Sequence, residues 1–112
     1  MNGVEAVLHS ALRGLSLRQR TIADNIANIE TPRFLAGTVD FESQLRDAVR
    51  DGEAPTTAPT TSRSLQPTRI DGNNVNLDEE TLNAQATGLR YELAITALNN
   101  KYNGLRRAIG GA

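Results

Sequence analysis

The sequence predicts an all-α fold in which two long terminal helices pair antiparallel as a coiled coil. A short middle helix and a flexible central loop, with room for a small strand pair, join them. Three observations carry that prediction. Near the start, Leu8, Leu12, Leu15, Ile22, Ile26 and Ile29 recur at alternating steps of four and three, with Gln19 the one break. Near the end, Ala84, Gly88, Tyr91, Ile95, Leu98, Tyr102, Leu105 and Ile109 keep the same step. Between these runs large apolar residues are sparse. Side chains spaced this way share one helix face, and a face sustained over several turns is built for burial against other helices.

Each element has its own punctuation within a single domain spanning 1–112. The N-terminal helix, placed at 1–30, starts near Asn2 as N-cap and stops before Thr31-Pro32, because the residue preceding proline is pushed out of the α region. The segment 31–77 holds a short helix over Asp40-Phe41-Glu42-Ser43-Gln44-Leu45-Arg46-Asp47-Ala48-Val49, capped by Asp40 and closed by Asp51-Gly52. Residues 53–69 contain three prolines, five threonines and two serines. With Leu65 their one large apolar side chain, they have little to offset the entropy of ordering and read as mobile loop. Asp71-Gly72-Asn73-Asn74 is a turn cluster. The C-terminal helix, 78–110, takes Asp78 as N-cap, with Leu77 stapled onto Leu82. Glu79 and Glu80 lie at the positive end of its dipole, Lys101, Arg106 and Arg107 near the negative end, and Gly110-Gly111 closes it.

Composition narrows the function. The net charge of −1 comes from 12 basic and 13 acidic residues without blocks, so nothing favours nucleic acid or anionic lipid. Aromatics make up 4% of the chain and Trp is absent, leaving no bulky centre for a monomeric core. Absent cysteine removes disulfides and thiolate metal sites. No apolar run reaches membrane-span length, and the first residues lack the pattern of a cleaved secretory signal. His9, the single histidine, has no ligand partner at metal spacing, and no phosphate loop or nucleophile triad exists. Arg13, Arg18 and Arg20 read as a solvated face diluted by Glu5, Asp24 and Glu30. The sequence therefore predicts no enzyme, no cofactor, no metal, no nucleic acid and no small-molecule substrate. Asn25, Asn28, Asn99, Asn100 and Asn103 are unusual inside helices, because asparagine is a poor helix former unless its amide bonds outside its own helix.

Specific residues then match a family. Ile22-Ala23-Asp24-Asn25-Ile26-Ala27-Asn28 followed by Thr31-Pro32 resembles the N-terminal signature of bacterial flagellar rod, hook and hook-associated proteins. Asp40-Phe41-Glu42, Gly72-Asn73-Asn74-Val75-Asn76-Leu77-Asp78-Glu79-Glu80, Leu89-x-Tyr91 and Leu105-Arg106-Arg107-Ala108-Ile109 are similar to its proximal-rod members. The resemblance covers nearly the whole chain outside 53–68. It departs at Arg33-Phe34, where the family usually has Gly-Tyr, and at Asn76, where aspartate is common.

The resemblance implies a structural subunit of the flagellar basal body. Such a subunit is exported by the flagellar type III apparatus without a cleaved signal and polymerises into the axial rod on the periplasmic side. Implied partners are further copies, other rod proteins, the adaptor FliE, the membrane-ring region and the export apparatus. The expected assembly interface is Leu8, Leu12, Leu15, Ile22, Ile26, Ile29, Leu89, Tyr91, Ile95, Leu98, Tyr102, Leu105 and Ile109. The family motif falls on Asn25, Asn28, Thr31, Pro32, Gly72, Asn73, Asn74 and Asp78. The rival reading from the residues alone is a soluble helical adaptor or export chaperone that docks one amphipathic partner helix.

Overall fold

The apolar step in the first stretch produces helix α1, Gly3–Ala27. It ends where expected, because Thr31-Pro32 forces a turn closed by bonds from Asn28 N–H to the Asp24 and Asn25 carbonyls and from Thr31 N–H to the Asn28 carbonyl. The computed structural model describes residues 3–52 and 58–110, excepting the side chains of Leu105 and Ala108. The Asn2 cap, the first part of the central loop and Gly111 lie outside the described residues, as does the Leu105 side chain.

After the turn come strand β1, Gly37–Val39, and helix α2, Glu42–Asp51. Strand β2, Thr61–Arg63, pairs antiparallel with β1, Gly37 opposite Arg63 and Val39 opposite Thr61. Helix α3, Leu77–Gly110, completes the chain. It runs back along α1: the Gln19 amide donates to the Ala84 carbonyl, and buried Glu80 lies close to Asn25. The molecule is a rod, 65 Å long against 26 and 15 Å across.

The buried apolar centre is small and lies to one side of the helix pair. Leu15, Val39 and Phe41 form it, with Ala11, Leu17, Leu45 and Tyr91 packed around them. Phe41 reaches α1 because Gly14 has no side chain; a Cβ there would sit 2.5 and 2.6 Å from the ring's Cδ atoms. Arg18 stacks over the same ring, 4.9 Å from its centroid, and pairs with Glu42 at the start of α2.

Four local expectations are corrected. Asp40 does not cap α2: Phe41 occupies that position without a side-chain bond, and the Glu42 carboxylate accepts the Phe41 N–H instead. Asp78 does not cap α3, because Asn76 accepts the Glu79 N–H at 3.1 Å one turn ahead. Leu77 and Leu82 are then left 51% and 65% exposed, not stapled into a shared apolar contact. Finally, residues 58–69 have defined partners despite their composition. Ser64 N–H donates to Ala36, and Arg69 donates to the carbonyls of Val75 and Ile29. Hydrogen bonding there replaces burial. Arg33 keeps the left-handed backbone that glycine would supply, at φ 62°. Its N–H donates to Asp71 at 2.9 Å, which holds the turn despite the Cβ.

Candidate assembly surface

Four asparagines build the junction from which the helix pair projects. Asn25, only 1% exposed, donates from Nδ2 to the Gly37 carbonyl at 2.9 Å and accepts the Gly37 N–H through Oδ1 at 2.8 Å. A side-chain amide thus takes the place of a strand beside β1. Asn73, wholly buried, donates to the carbonyls of Asn28 and Thr31 at 2.9 Å each and accepts the Val75 N–H at 2.7 Å. Asn74 accepts the Ala36 N–H and donates to Ser64 and Gln66. Asn28 accepts the Thr31 hydroxyl and donates back to Asp24. Gly72 is left-handed at φ 83°, and a Cβ there would lie 3.2 Å from the Arg33 Cα. The structure therefore brings Asn25, Asn28, Thr31, Gly72, Asn73 and Asn74 into one network. Pro32 and Asp78 are exposed beside it, Asp78 without the capping role expected of it.

The expected interface residues separate into two groups. Leu15 and Ile22 are buried inside the subunit, and Leu8, Leu12, Ile29, Tyr91 and Leu98 are half-buried. Ile26, Ile95, Tyr102, Leu89 and Ile109 are exposed, the last two by 59% and 78%. The seam on α3 leans toward Glu80, Ala84, Thr87, Tyr91 and Ala94, a polar-led line one position off the apolar stripe. As a result Leu82, Leu89 and Leu93 form a second ridge that α1 leaves open, with Leu93 61% exposed. Leu65 and Ile70 are also fully exposed. A row of exposed large apolar side chains along one helix face is a candidate interaction site. The other late asparagines, Asn99, Asn100 and Asn103, are exposed along α3.

Arg18, read from the sequence as part of a solvated face, is instead largely buried and paired with Glu42, and Glu80, read as a helix-dipole residue, is buried; Glu42 and Gly14 were given no such role. Glu80 is 7% exposed, and its Oε2 has no hydrogen-bond partner among the described residues. Burial pushes its carboxyl above the ordinary value, partly offset by the Asn25 amide, with Glu79 adding to the rise. Glu42 is held below its ordinary value by the Arg18 hydrogen bonds, against a smaller opposing effect of burial. Arg18, Glu42 and Glu80 come together, and Gly14 meets Phe41, only through contacts distant in sequence, and no local pattern announces them. A cleft of about 330 Å³ opens among Arg18, Glu42, Glu80 and Arg90. Arg18 is committed there to Glu42 and the Val39 carbonyl. Among the described residues no group of His, Cys, Asp and Glu could hold a metal ion, and no helix is long and apolar enough to cross a membrane.

Residues 6–34, which are α1 and the turn after it, match the family model described as flagella basal body rod protein. Over nearly full length the chain is also similar to curated relatives. It is 31% identical to the flagellar basal body rod protein FlgB of Aeromonas hydrophila, with 90% of this chain and 88% of the relative covered. The chain belongs to the FlgB family of flagellar basal body rod proteins. FlgB of Borrelia hermsii is 33% identical over 76% of this chain and 79% of its own length. FlgB of Yersinia enterocolitica is 29% identical over 94% and 92%. In this FlgB-family chain the matched segment carries Asn25, Asn28 and the Thr31-Pro32 turn, the residues around which the junction is organised.

Proposed function

We propose that residues 1–112 act as one structural subunit of the proximal rod of the bacterial flagellar basal body, without catalysis or cofactor. The observation that carries this reading is the open ridge of Leu82, Leu89 and Leu93 on a long helix whose opposite side is already occupied by α1. In a family of rod proteins, a stiff helix pair with a second uncovered apolar face is a polymerisation element. Leu89 on the ridge, and Ile95, Tyr102 and Ile109 as the exposed members of the stripe, meet neighbouring subunits. Leu8, Leu12, Leu15, Ile22, Tyr91 and Leu98 hold the helices together so that this face is presented. Neighbours on this reading are further copies, other rod proteins, the adaptor FliE, the membrane-ring region and the export apparatus. The subunit reaches the periplasmic side through the flagellar type III apparatus without a cleaved signal.

Folding and assembly are linked by mass action, since partners that bind only the folded chain raise its stability. The ridge is convex, so it suits a neighbour in a wall better than the single captured helix of an adaptor or chaperone. The test is deletion of the gene followed by electron cryotomography of basal bodies. A missing rod above an intact membrane ring, restored by the full chain carrying a locatable tag within the rod, supports the proposal. Complete rods in the deletion strain would refute it.

A further inference from the structure

The stretch of α3 from Leu77 to Gly88, about three turns, is held to the molecule by polar groups. Among the described residues it buries just two side chains, those of Glu80 and Thr87. Its large apolar residues, Leu77 and Leu82, are exposed, and Ala84 is half-buried. The Gln19 amide adds one bond, to the Ala84 carbonyl at 3.1 Å. Apolar packing resumes at Tyr91, which joins the cluster around Leu15 and Phe41. A segment with so few buried apolar contacts opens at low cost.

Glu80 is the weak point of that seam. Its Oε2 is buried and has no hydrogen-bond partner among the described residues. Asn25 lies close to it, but that amide already donates to the Gly37 carbonyl and accepts the Gly37 N–H. The charged groups sharing its cleft are Arg18 of α1, Glu42 of α2 and Arg90 of α3; β1 contributes none, and Glu79 adjoins it. Arg18 is bonded to Glu42 and the Val39 carbonyl, and Arg90 lies 3.5 Å from Glu42. Both cations are thus turned to a different carboxylate. An ionised Glu80 is therefore unpaired and shut away from solvent, which a folded interior strongly disfavours. Lifting the start of α3 off Asn25 would widen the cleft and bring water to the oxygen.

We infer that Glu80 is a proton-operated latch: protonated, it keeps the first turns of α3 against Asn25 and β1, and ionised, it releases them while the helix from Tyr91 onward stays paired with α1. Burial raises its carboxyl above the ordinary value. Release is therefore absent below 4.5 and develops as pH rises through the folded-state value. Glu42 is shifted the other way and titrates below this window. Leu82 lies on the released turns and Leu93 beyond them, so release breaks the line of the open ridge.

A swing of the Glu80 side chain into the cleft would relieve the oxygen without moving the backbone, so the test must read the backbone. Hydrogen exchange of the purified full chain, followed by mass spectrometry and corrected for intrinsic rates, is compared at about pH 5 and about pH 7.5. Protection of residues 80–88 should fall roughly tenfold or more with rising pH, while residues 91–98 hold theirs. Glu80→Gln should keep residues 80–88 protected at both values, and Glu79→Gln should respond as the wild type does. Three results overturn the inference: equal protection of residues 80–88 at both values, a loss shared evenly by residues 91–98, or the wild-type loss in Glu80→Gln. The first two need no variant to fold.

Discussion

Asn25 and Gly37 are joined by a reciprocal pair of hydrogen bonds, the asparagine amide donating to the glycine carbonyl and accepting its N–H. Both residues are buried, so neither backbone group can turn to water instead. This pair fastens the last turns of α1 to β1, close to the buried Glu80 of α3. Asn25→Ala leaves the Gly37 N–H and carbonyl unpaired. The expected loss of stability is about 2–4 kcal/mol, because each buried unsatisfied group costs roughly 1–3 kcal/mol. Asn28→Ala, at a half-exposed position, should cost less. Urea unfolding followed by circular dichroism measures both.

Gly14 and Phe41 give a second, opposite-signed test. Alanine in a helix interior normally stabilises relative to glycine by about 0.5–1 kcal/mol. At Gly14 the new methyl would overlap the buried Phe41 ring, and relieving that overlap should destabilise by about 1–3 kcal/mol. Gly104→Ala, where nothing lies within 4 Å, should stabilise. Thermal melts of the two variants should move in opposite directions.

The two perturbed glutamates titrate with opposite consequences. Glu80 has a raised carboxyl, so the folded state prefers its neutral form. That contribution is fully present below the ordinary value of 4.5 and is lost as pH rises through the folded-state value. Glu42 is lowered, so its contribution is present above 4.5 and is lost as pH falls through its folded-state value. Glu80→Gln should therefore raise the melting temperature at pH 7 and flatten its fall between pH 4.5 and neutrality. Glu42→Gln should lower it at pH 7 and weaken its dependence on acidification. A melting-temperature profile across pH separates them, and a Glu80→Gln protein less stable than wild type at pH 7 would contradict the assignment.

The long helices were legible because their period survives many turns and their ends are marked by Pro32 and Gly110. The middle helix was legible from Phe41, Leu45 and Ala48. Caps were not, since Asp40 and Asp78 stand close to other residues able to fill the position, and the direction of chain entry decides between them. The strand pair was expected inside the loop, yet only β2 lies there. Its partner is three residues long and is held by Asn25, too short for any alternation to be read. Of the asparagines singled out inside helices, Asn25 finds its partner 12 residues away at Gly37, whereas Asn28 bonds locally to Asp24 and Thr31. Glu80 was read as a dipole residue at a helix start; its burial against Asn25 is invisible until α1 and α3 are brought together.

The central claim is that the open ridge of α3 is covered by neighbouring subunits in the rod. Leu89 tests it most directly, because it is 59% exposed in the subunit and a surface substitution there should alter folding by no more than about 0.5 kcal/mol. The measurement is electron cryotomography of basal bodies in cells producing Leu89→Asp, beside circular dichroism of the purified variant. The account predicts an unchanged helical signal, exported protein and no completed rod. Rods of normal length and number in those cells would contradict it.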